Sequence, residues 1–206
     1  NVFYYITLLN ENYAMPGLTP GTEEQIIKGM YLCKPGAEGD KRVQLLGSGT
    51  ILRESLEAQK LLATDWGVQA DVWSCPSFNE LTRDGQDAER WNLLHPLEAP
   101  RVPFVAQQLG QRSGPVVAST DYMKNYAEQI RAFIPAGRTY KVLGTDGFGR
   151  SDFRSKLREH FEVNRHYIAV AALKALAEEG QLPLAKVAEA IQKYGIQTEK
   201  NNPLYA

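Results

Sequence analysis

The sequence has few cysteines and no long apolar run. Its 206 residues include only Cys33 and Cys75, which lack the paired spacing of a zinc site or a redox pair. Free cysteine behaves as a small hydrophobe, so we expect both to be reduced and buried, as in a cytoplasmic protein. No segment approaches the roughly 18 uninterrupted apolar residues that a membrane span needs, so we expect no membrane partner.

An excess of charge of one sign is also absent. The chain has 23 basic and 24 acidic side chains, interspersed along its length, for a formal net charge of −1. Proteins that bind nucleic acid usually carry a clustered basic surface, so this balance predicts no nucleic-acid partner. The mixed-charge run 83–91 predicts a solvated or subunit-contact face, in which Trp91 indicates burial or an interface.

The familiar catalytic motifs are missing. The sequence contains no Gly-x-Ser-x-Gly elbow, no His-Glu-x-x-His pair and no phosphate-cradling Gly-Lys-Ser/Thr loop. Its three histidines, His95, His160 and His166, could form a base or a metal site only if the fold gathered them. We expect them instead to be solvated or to cap helices.

The beginning of the chain lacks features of an independent start. There is no initiator Met and no signal pattern, and residues 2–9 form an apolar segment typical of a strand. Residues 10–21 are rich in Asn, Pro and Gly, which is typical of a connector. We therefore expect the sequence to be part of a longer protein.

From residue 22 onward, strands and helices alternate. Thr22 and Gln25 fit a capping box, and Gly67 is placed to end a helix. Predicted strands are 30–33, 43–46, 68–74, 115–119 and 140–143; predicted helices are 22–29, 50–65, 78–94, 121–133, one capped by Ser151, 167–179 and 183–194. This order predicts a three-layer α/β fold with a mostly parallel sheet and extra C-terminal helices.

Two loops that follow strands are candidate sites. The turn Gly47-Ser48-Gly49 is either a phosphate-binding turn or a tight turn before a helix. The dinucleotide-binding motif is incomplete, because a third glycine at its spacing is missing. The loop 145–150 combines glycines with both charge signs. Its residues Asp146, Phe148 and Arg150 predict either a structural turn or an interface or effector contact.

The motifs together resemble a known family. Gly47-Ser48-Gly49, Ser119-Thr120-Asp121-Tyr122 and residues 144–152 resemble the C-terminal domain of transketolase-like enzymes in order and spacing. Arg83-Asp84-Gly85-Gln86-Asp87 and His95-Pro96-Leu97-Glu98 are similar to the homodimeric bacterial pyruvate dehydrogenase decarboxylating components. The resemblance covers nearly the whole chain.

This resemblance implies a fold and a division of the chain. Residues 1–21 would be the end of a preceding pyrimidine-binding domain and its connector, and residues 22–206 the transketolase C-terminal-like domain. Its five-stranded mixed sheet would have one antiparallel edge strand, at about 30–34. The domain would have a structural and dimerisation role.

The resemblance also implies a reaction, carried out by the full-length enzyme. That enzyme would use thiamine diphosphate and magnesium to decarboxylate pyruvate, and would pass the acetyl group to a lipoyl group on the dihydrolipoyl acetyltransferase core. Its partners would be a second copy of itself and that core. The resemblance assigns no catalytic, cofactor-binding or metal-binding residue to this chain, so we expect no cofactor in it and no activity of the fragment alone.

One short segment departs from the transketolase pattern. Asn10, Glu11 and Asn12 lie where transketolases carry Ser-Arg-Gln, whose arginine holds a sugar phosphate. The departure agrees with a small keto acid, and it predicts that these residues edge the substrate channel. Two other functions remain open: a regulatory or docking module that uses the Phe148 loop and the following helix, and a free-standing nucleotide-binding enzyme that uses the Gly47 turn.

Overall fold

Five strands form one mixed sheet. The computed structural model describes residues 3–4, 6, 11–14 and 17–206. In chain order the strands are β1 (Tyr31–Lys34), β2 (Arg42–Gly47), β3 (Gln69–Ser74), β4 (Val116–Ser119) and β5 (Tyr140–Leu143). Their spatial order is β1-β3-β2-β4-β5, with β1 antiparallel to β3 and all other pairs parallel. The predicted sheet, with its antiparallel edge strand, is confirmed.

Eight helices surround this sheet in the part of the chain that is described. They are α1 (Glu23–Ile27), α2 (Ile51–Trp66), α3 (Phe78–Leu94), α4 (Phe104–Gly110), α5 (Asn125–Glu128), α6 (Arg154–His160), α7 (Arg165–Glu178) and α8 (Leu184–Lys193). None of these helices has the length and hydropathy that crossing a bilayer would take.

The side chains of β2 divide the core into two layers. Leu45 faces the layer that α2, α7 and α8 cover, whereas its neighbour Leu46 faces the layer that α3 and α4 cover. This division follows from the two-residue period of a strand, which sends successive side chains to opposite faces. Both leucines are fully buried, so the helices cover both faces as a three-layer fold requires.

Helix α2 shows how the local sequence produces its element. Ile51, Ala58 and Leu62 recur at helical spacing and are all fully buried, so one stripe of the helix packs on the sheet. Gly67 ends the helix in the left-handed conformation at φ 62°, and its amide N–H donates to Ala63 O at 3.3 Å. The predicted stop is confirmed because glycine has no Cβ to oppose this conformation.

The predicted helix over 121–133 is wrong. Only Asn125–Glu128 is α-helical, followed by a 3-10 turn at Arg131–Phe133. The loop after β5 binds this segment: Thr145 N–H donates to Tyr122 O at 3.0 Å, a carbonyl that a helix from 121 would pair with Tyr126 N–H, and Lys124 N–H donates to Asp146 Oδ1 at 3.0 Å. Tertiary hydrogen bonds therefore replace the first helical turn.

Two predicted helix caps lack their side-chain hydrogen bonds. Thr22 is the N-cap residue of α1 as predicted, but its Oγ1 donates to Thr19 O at 2.6 Å instead of accepting from the first turn of the helix. Ser151 lies before α6 without capping it, since the N-cap position is Phe153, whose N–H donates to Asp152 Oδ1 at 2.7 Å. Short polar side chains choose among several nearby backbone groups, which sequence spacing does not distinguish.

Helix α4 was not predicted at all. Its residues 104–110 follow a proline-containing loop, and the signal for its start lies far away in sequence. Phe104 N–H donates to Asp84 Oδ2, in α3, at 2.5 Å. Because a carboxylate from another helix satisfies the first amide, the local sequence carries little sign of a helix start.

Candidate functional site at the carboxyl edge of the sheet

The candidate site is a crevice at the carboxyl ends of β2 and β4. These strands are neighbours, with Gly47 opposite Ser119, yet α2 leaves to one face of the sheet and α5 to the other. Such a reversal of strand order opens a crevice where α/β proteins commonly bind ligands. A cavity of about 320 Å³ lies here. It is lined by Thr50, Ile51, Asp121, Thr145, Gly149, Arg150, Arg154, Leu157, Arg158, Phe161 and Val163.

The Gly47-Ser48-Gly49 turn is filled by the protein's own side chains. Thr50 Oγ1 donates to Asp121 Oδ2 at 2.8 Å, and a Cβ on Gly49 would lie 3.1 Å from Asp121 Oδ1. Ser48 Oγ lies 2.7 Å from Tyr122 Oη, whose pKa is raised by burial, so this pair is neutral. A carboxylate at the turn opposes a phosphate there, which favours the tight-turn interpretation.

The loop 145–150 does not gather its three candidate residues. Asp146 faces inward, where it accepts from Lys124 N–H and lies 3.7 Å from Lys124 Nζ. Phe148 faces solvent, with 81% of its surface exposed. Arg150 lines the cavity and donates to Gly149 O at 3.4 Å and to Ala206 O. The loop is therefore a structural turn on one side and an exposed surface on the other.

The channel-edge segment reaches the same crevice. Glu11 Oε2 lies 3.0 Å from Arg154 Nε and accepts from Tyr13 Oη at 2.7 Å. Asn12 is exposed. Asn10 lies outside the described residues, as does most of the predicted strand 2–9. Arg150 lines the cavity, whereas Glu11 and the Gly47 turn contact two of its lining residues, Arg154 and Asp121.

A buried carboxylate behind the cavity was missed by sequence reasoning. Glu54, in α2, is 3% exposed and accepts from Arg165 Nε at 2.9 Å and from Arg158 Nη1 at 3.1 Å. Burial opposes its ionisation, but the hydrogen bonds and charges of the two arginines outweigh burial, so the pKa of Glu54 lies below its usual value. The sequence did offer one signal of a buried charge: Glu54 lies among the apolar residues of the α2 stripe.

A second buried carboxylate lies toward the amino end of the sheet. Asp71, in β3, is fully buried and accepts from Arg42 Nη1 at 2.8 Å, Arg112 Nη1 at 3.0 Å, Gln44 Nε2 at 2.9 Å and Gly36 N–H at 2.9 Å. Burial opposes ionisation here too, yet these donors hold the pKa of Asp71 below its usual value. An acid in the middle of an apolar strand was the available signal.

The three histidines are not brought together into one site. His95 stacks on Trp91 at 3.5 Å between ring centroids, and His166 stacks on Tyr194 at 4.8 Å. The expectation was that each histidine is solvated or caps a helix. His95 is the C-cap residue of α3, whereas the Nε2 of His160 is buried and has no hydrogen-bond partner among the described residues. Helix α6 turns this ring against Phe161, at 4.8 Å, rather than toward solvent.

The two cysteines are free. Cys75 is fully buried and Cys33 is half-buried at the sheet edge, so the prediction of burial holds fully only for Cys75. Burial raises the pKa of both thiols, which keeps them protonated near neutral pH.

The described residues do not fit thiamine diphosphate and magnesium. Asp121 stands at the Gly47 turn, and at the second glycine loop a Cβ on Gly147 would lie 2.5 Å from Pro203 O, so main chain occupies that side of the loop. In the described ranges, no three His, Cys, Asp or Glu side chains are close enough to share a metal ion.

The comparisons with known proteins agree with this geometry. The profile of the family described as "Transketolase-like TK C-terminal domain" matches residues 29–164, which span the whole sheet and the crevice. The chain belongs to this family. The matched region of this transketolase-like domain ends at the start of α7, so α7 and α8 lie beyond it.

Curated relatives of the transketolase-like domain are bacterial proteins. It is 62% identical over 205 residues to "Pyruvate dehydrogenase E1 component" of Pseudomonas aeruginosa, and 58% identical over 207 residues to the protein of that name from Escherichia coli. These alignments cover 99% and 100% of the chain and 23% of each relative. The chain therefore spans about a quarter of the length of these relatives.

Solved structures support the fold independently of close sequence similarity. A transketolase from Pichia stipitis, in complex with sedoheptulose 7-phosphate, superposes with a TM-score of 0.52 over 82% of this domain and 21% of that chain. The two sequences are 18% identical there, so the likeness concerns the fold alone.

Proposed function

We propose that this chain is the C-terminal structural and dimerisation domain of a bacterial pyruvate dehydrogenase E1 component. The full-length enzyme would decarboxylate pyruvate with thiamine diphosphate and magnesium and would acetylate the lipoyl group of the acetyltransferase core, as an oxidoreductase of the cytoplasm. The observation that carries the proposal is 62% identity across 99% of the chain. Residues 1–21 would belong to the preceding domain and its connector.

The fragment alone would be inactive. The two glycine loops are filled by Asp121 and by the main chain of Pro203, and the three histidines lie apart. The buried carboxylates Glu54 and Asp71 are both neutralised by arginines, which suits a structural role better than proton transfer.

An exposed apolar cluster supports the dimerisation role. It lies at the end of α3 and in the loop that follows it, and consists of Leu93, Leu94, Leu97 and Val102, which are 78%, 54%, 99% and 51% exposed. Beside it Arg101 stacks on Trp91 at 3.5 Å, and arginine and tryptophan are frequent in the centres of interfaces. A two-fold axis at this cluster would bury it against itself.

Sedimentation equilibrium combined with an activity assay tests both parts. We expect the chain to dimerise, and to show no pyruvate decarboxylation when thiamine diphosphate and magnesium are added. Changing Leu93 and Leu97 to Asp should weaken the dimer at least about tenfold, because two charges would enter an apolar contact. Leu184→Asp, at a leucine that is 61% exposed in α8, is the matched control and should leave the dimer unchanged. Turnover by the fragment would contradict the proposal.

A regulatory or docking module is the second candidate. Phe148 and Phe153 both precede α6 and are both 81% exposed, which is unusual for aromatic side chains of this size. In this alternative the changes Phe148→Ser and Arg150→Ala would abolish binding of the full-length enzyme to the acetyltransferase core while leaving the dimer intact. Unchanged core binding would remove this candidate.

A further inference from the structure

Residues 11–14 are held on the domain by three arginines. Arg154 Nε lies 3.0 Å from Glu11 Oε2, Arg158 Nη2 donates to Tyr13 Oη at 3.3 Å, and the Arg53 guanidinium stacks on the Tyr13 ring at 4.8 Å. Arg53 Nη1 also donates to the carbonyl of Ala14 at 3.4 Å. This segment has no helix or strand of its own, so side-chain contacts hold it.

We propose that Arg53, Arg154 and Arg158 form a clasp that fixes residues 11–14 and thereby positions Glu11 and Asn12 of the channel-edge segment in the full-length enzyme. The link to the substrate channel rests on the proposed function, whereas the clasp itself rests on the contacts. In this proposal the three arginines are positioning residues, since they act through the connector.

Tyr13 is the centre of the clasp. Its hydroxyl donates to Glu11 at 2.7 Å and accepts from Arg158, so it uses both roles that a phenol offers. Its ring is half-buried beneath Arg53, where a cation over an aromatic face is attracted by the ring electrons. One side chain therefore joins the connector to both α2 and α6.

One of the three arginines, Arg158, is itself held by the buried carboxylate. Arg158 donates to Glu54, which α2 carries next to Arg53 in sequence. Arg154 and Arg158 are four residues apart in α6 and so lie on one face of that helix. The clasp is thus built on α2 and α6, which both contribute to the cavity lining, and its geometry depends on the main fold rather than on the connector.

Cleavage by chymotrypsin after Tyr13, followed by mass spectrometry, tests the clasp in this chain. Tyr4 is 84% exposed and serves as the reference site in the same molecule. Arg154→Glu leaves the sequence around Tyr13 unchanged but reverses the charge opposite Glu11. We expect the ratio of cleavage after Tyr13 to cleavage after Tyr4 to rise about fivefold, the upper end of what a half-exposed ion pair supports.

Two controls separate the clasp from a general loss of structure. Lys156→Glu makes the same charge change in α6 at a side chain that pairs with Glu159, and should leave the cleavage ratio unchanged. The double variant Glu11→Arg with Arg154→Glu restores an opposite-charge pair. Its cleavage ratio should return to within about twofold of the wild type, whereas the single variant Glu11→Arg should keep a raised ratio. An unchanged ratio in Arg154→Glu would overturn the proposal.

Kinetics of the full-length enzyme test the link to the channel. Arg154→Glu should raise the KM for pyruvate several-fold with little change in kcat, and the charge-swapped double variant should restore KM, because the segment orients substrate without joining the reaction. If Arg154→Glu raised the cleavage ratio but left the KM for pyruvate unchanged, the positioning role would be overturned. If the wild-type full-length enzyme did not decarboxylate pyruvate, the proposed function would fail while the cleavage result would still decide the clasp.

Discussion

The two ends of the parallel sheet are built differently. Toward the amino end, Asp71 is fully buried, and its donors come from β2, from the loop before β2 and from Arg112 after α4. At the carboxyl end, Glu54 serves a similar charge-neutralising role, but its arginines lie in α6 and α7 and one of them reaches the connector. The first network closes the core, and the second connects the core to a cavity and a peripheral segment.

This difference separates stability from function within one sheet. Gln44 is completely buried, and the arginine side chains that pair with Asp71 are only 14% exposed for Arg42 and 32% exposed for Arg112, so this network lies mostly inside the core. The carboxyl end contains an accessible cavity, two exposed phenylalanines and the connector contacts. Parallel α/β sheets commonly place function at the carboxyl end, because the loops there vary without disturbing strand packing.

The largest expected effect is on Asp71. Asp71→Asn should lower the free energy of unfolding by about 3 kcal/mol, because Arg42 and Arg112 would lose the charge that compensates theirs. Urea denaturation measures this change. Asp87→Asn, at a carboxylate whose side chain is 70% exposed and lies 3.6 Å from Arg101, is the matched control and should change the value by less than about 0.5 kcal/mol.

Glu54→Gln should have a smaller effect of about 2 kcal/mol, because the Arg165 side chain is 40% exposed and can turn to water. The control is Glu57→Gln in the same helix, whose carboxylate is 37% exposed, and it should be nearly neutral. A larger loss for Glu54→Gln than for Asp71→Asn, again by urea denaturation, would mean that the carboxyl end also carries the main stability of the fold.

The pH dependence of stability should come from both ends. The pKa values of Asp71 and Glu54 are lowered in the folded state, so below about pH 4 the unfolded chain binds more protons than the folded one. Their contribution is present at neutral pH and is lost as the pH falls through the folded pKa values. The double variant Asp71→Asn, Glu54→Gln should therefore show a shallower loss of stability between pH 7 and 3 in urea titrations. An acid limb as steep as that of the wild type would contradict this assignment.

The smallest effect should distinguish two glycines. Gly49 and Gly67 have φ values of 55° and 62°, but only Gly49 has a neighbour, Asp121, where a Cβ would lie. Gly67→Ala should cost about 1 kcal/mol for the left-handed backbone alone. Gly49→Ala should cost about 0.5 kcal/mol more, since the Thr50–Asp121 hydrogen bond must shift. Thermal denaturation of the two variants measures these losses of stability. Equal losses for Gly49→Ala and Gly67→Ala would show that the Asp121 side chain moves aside at no cost.

Much of the sheet and of its main helices could be predicted from periodicity. The boundaries of α3 and β5 agree with the predicted 78–94 and 140–143. In α3 the buried residues Phe78, Leu81, Gly85 and Ala88 follow the helical period. The candidate site was predictable only as separate pieces. The Gly47 turn, the loop 145–150 and Glu11 were each identified, but no local pattern indicates that they lie in or beside the lining of one cavity.

The sequence by itself determined the alternation of strands and helices, the two-faced core and the ends of helices at glycine, since each depends on residues within a few positions of one another. The tertiary structure alone decided three features: the shortened α5, the start of α4 at Phe104, where Asp84 accepts from the first amide, and the pairing of Glu54 and Asp71 with arginines. In all of these the partner group lies 20 or more residues away, so its effect appears only when the fold brings the two together.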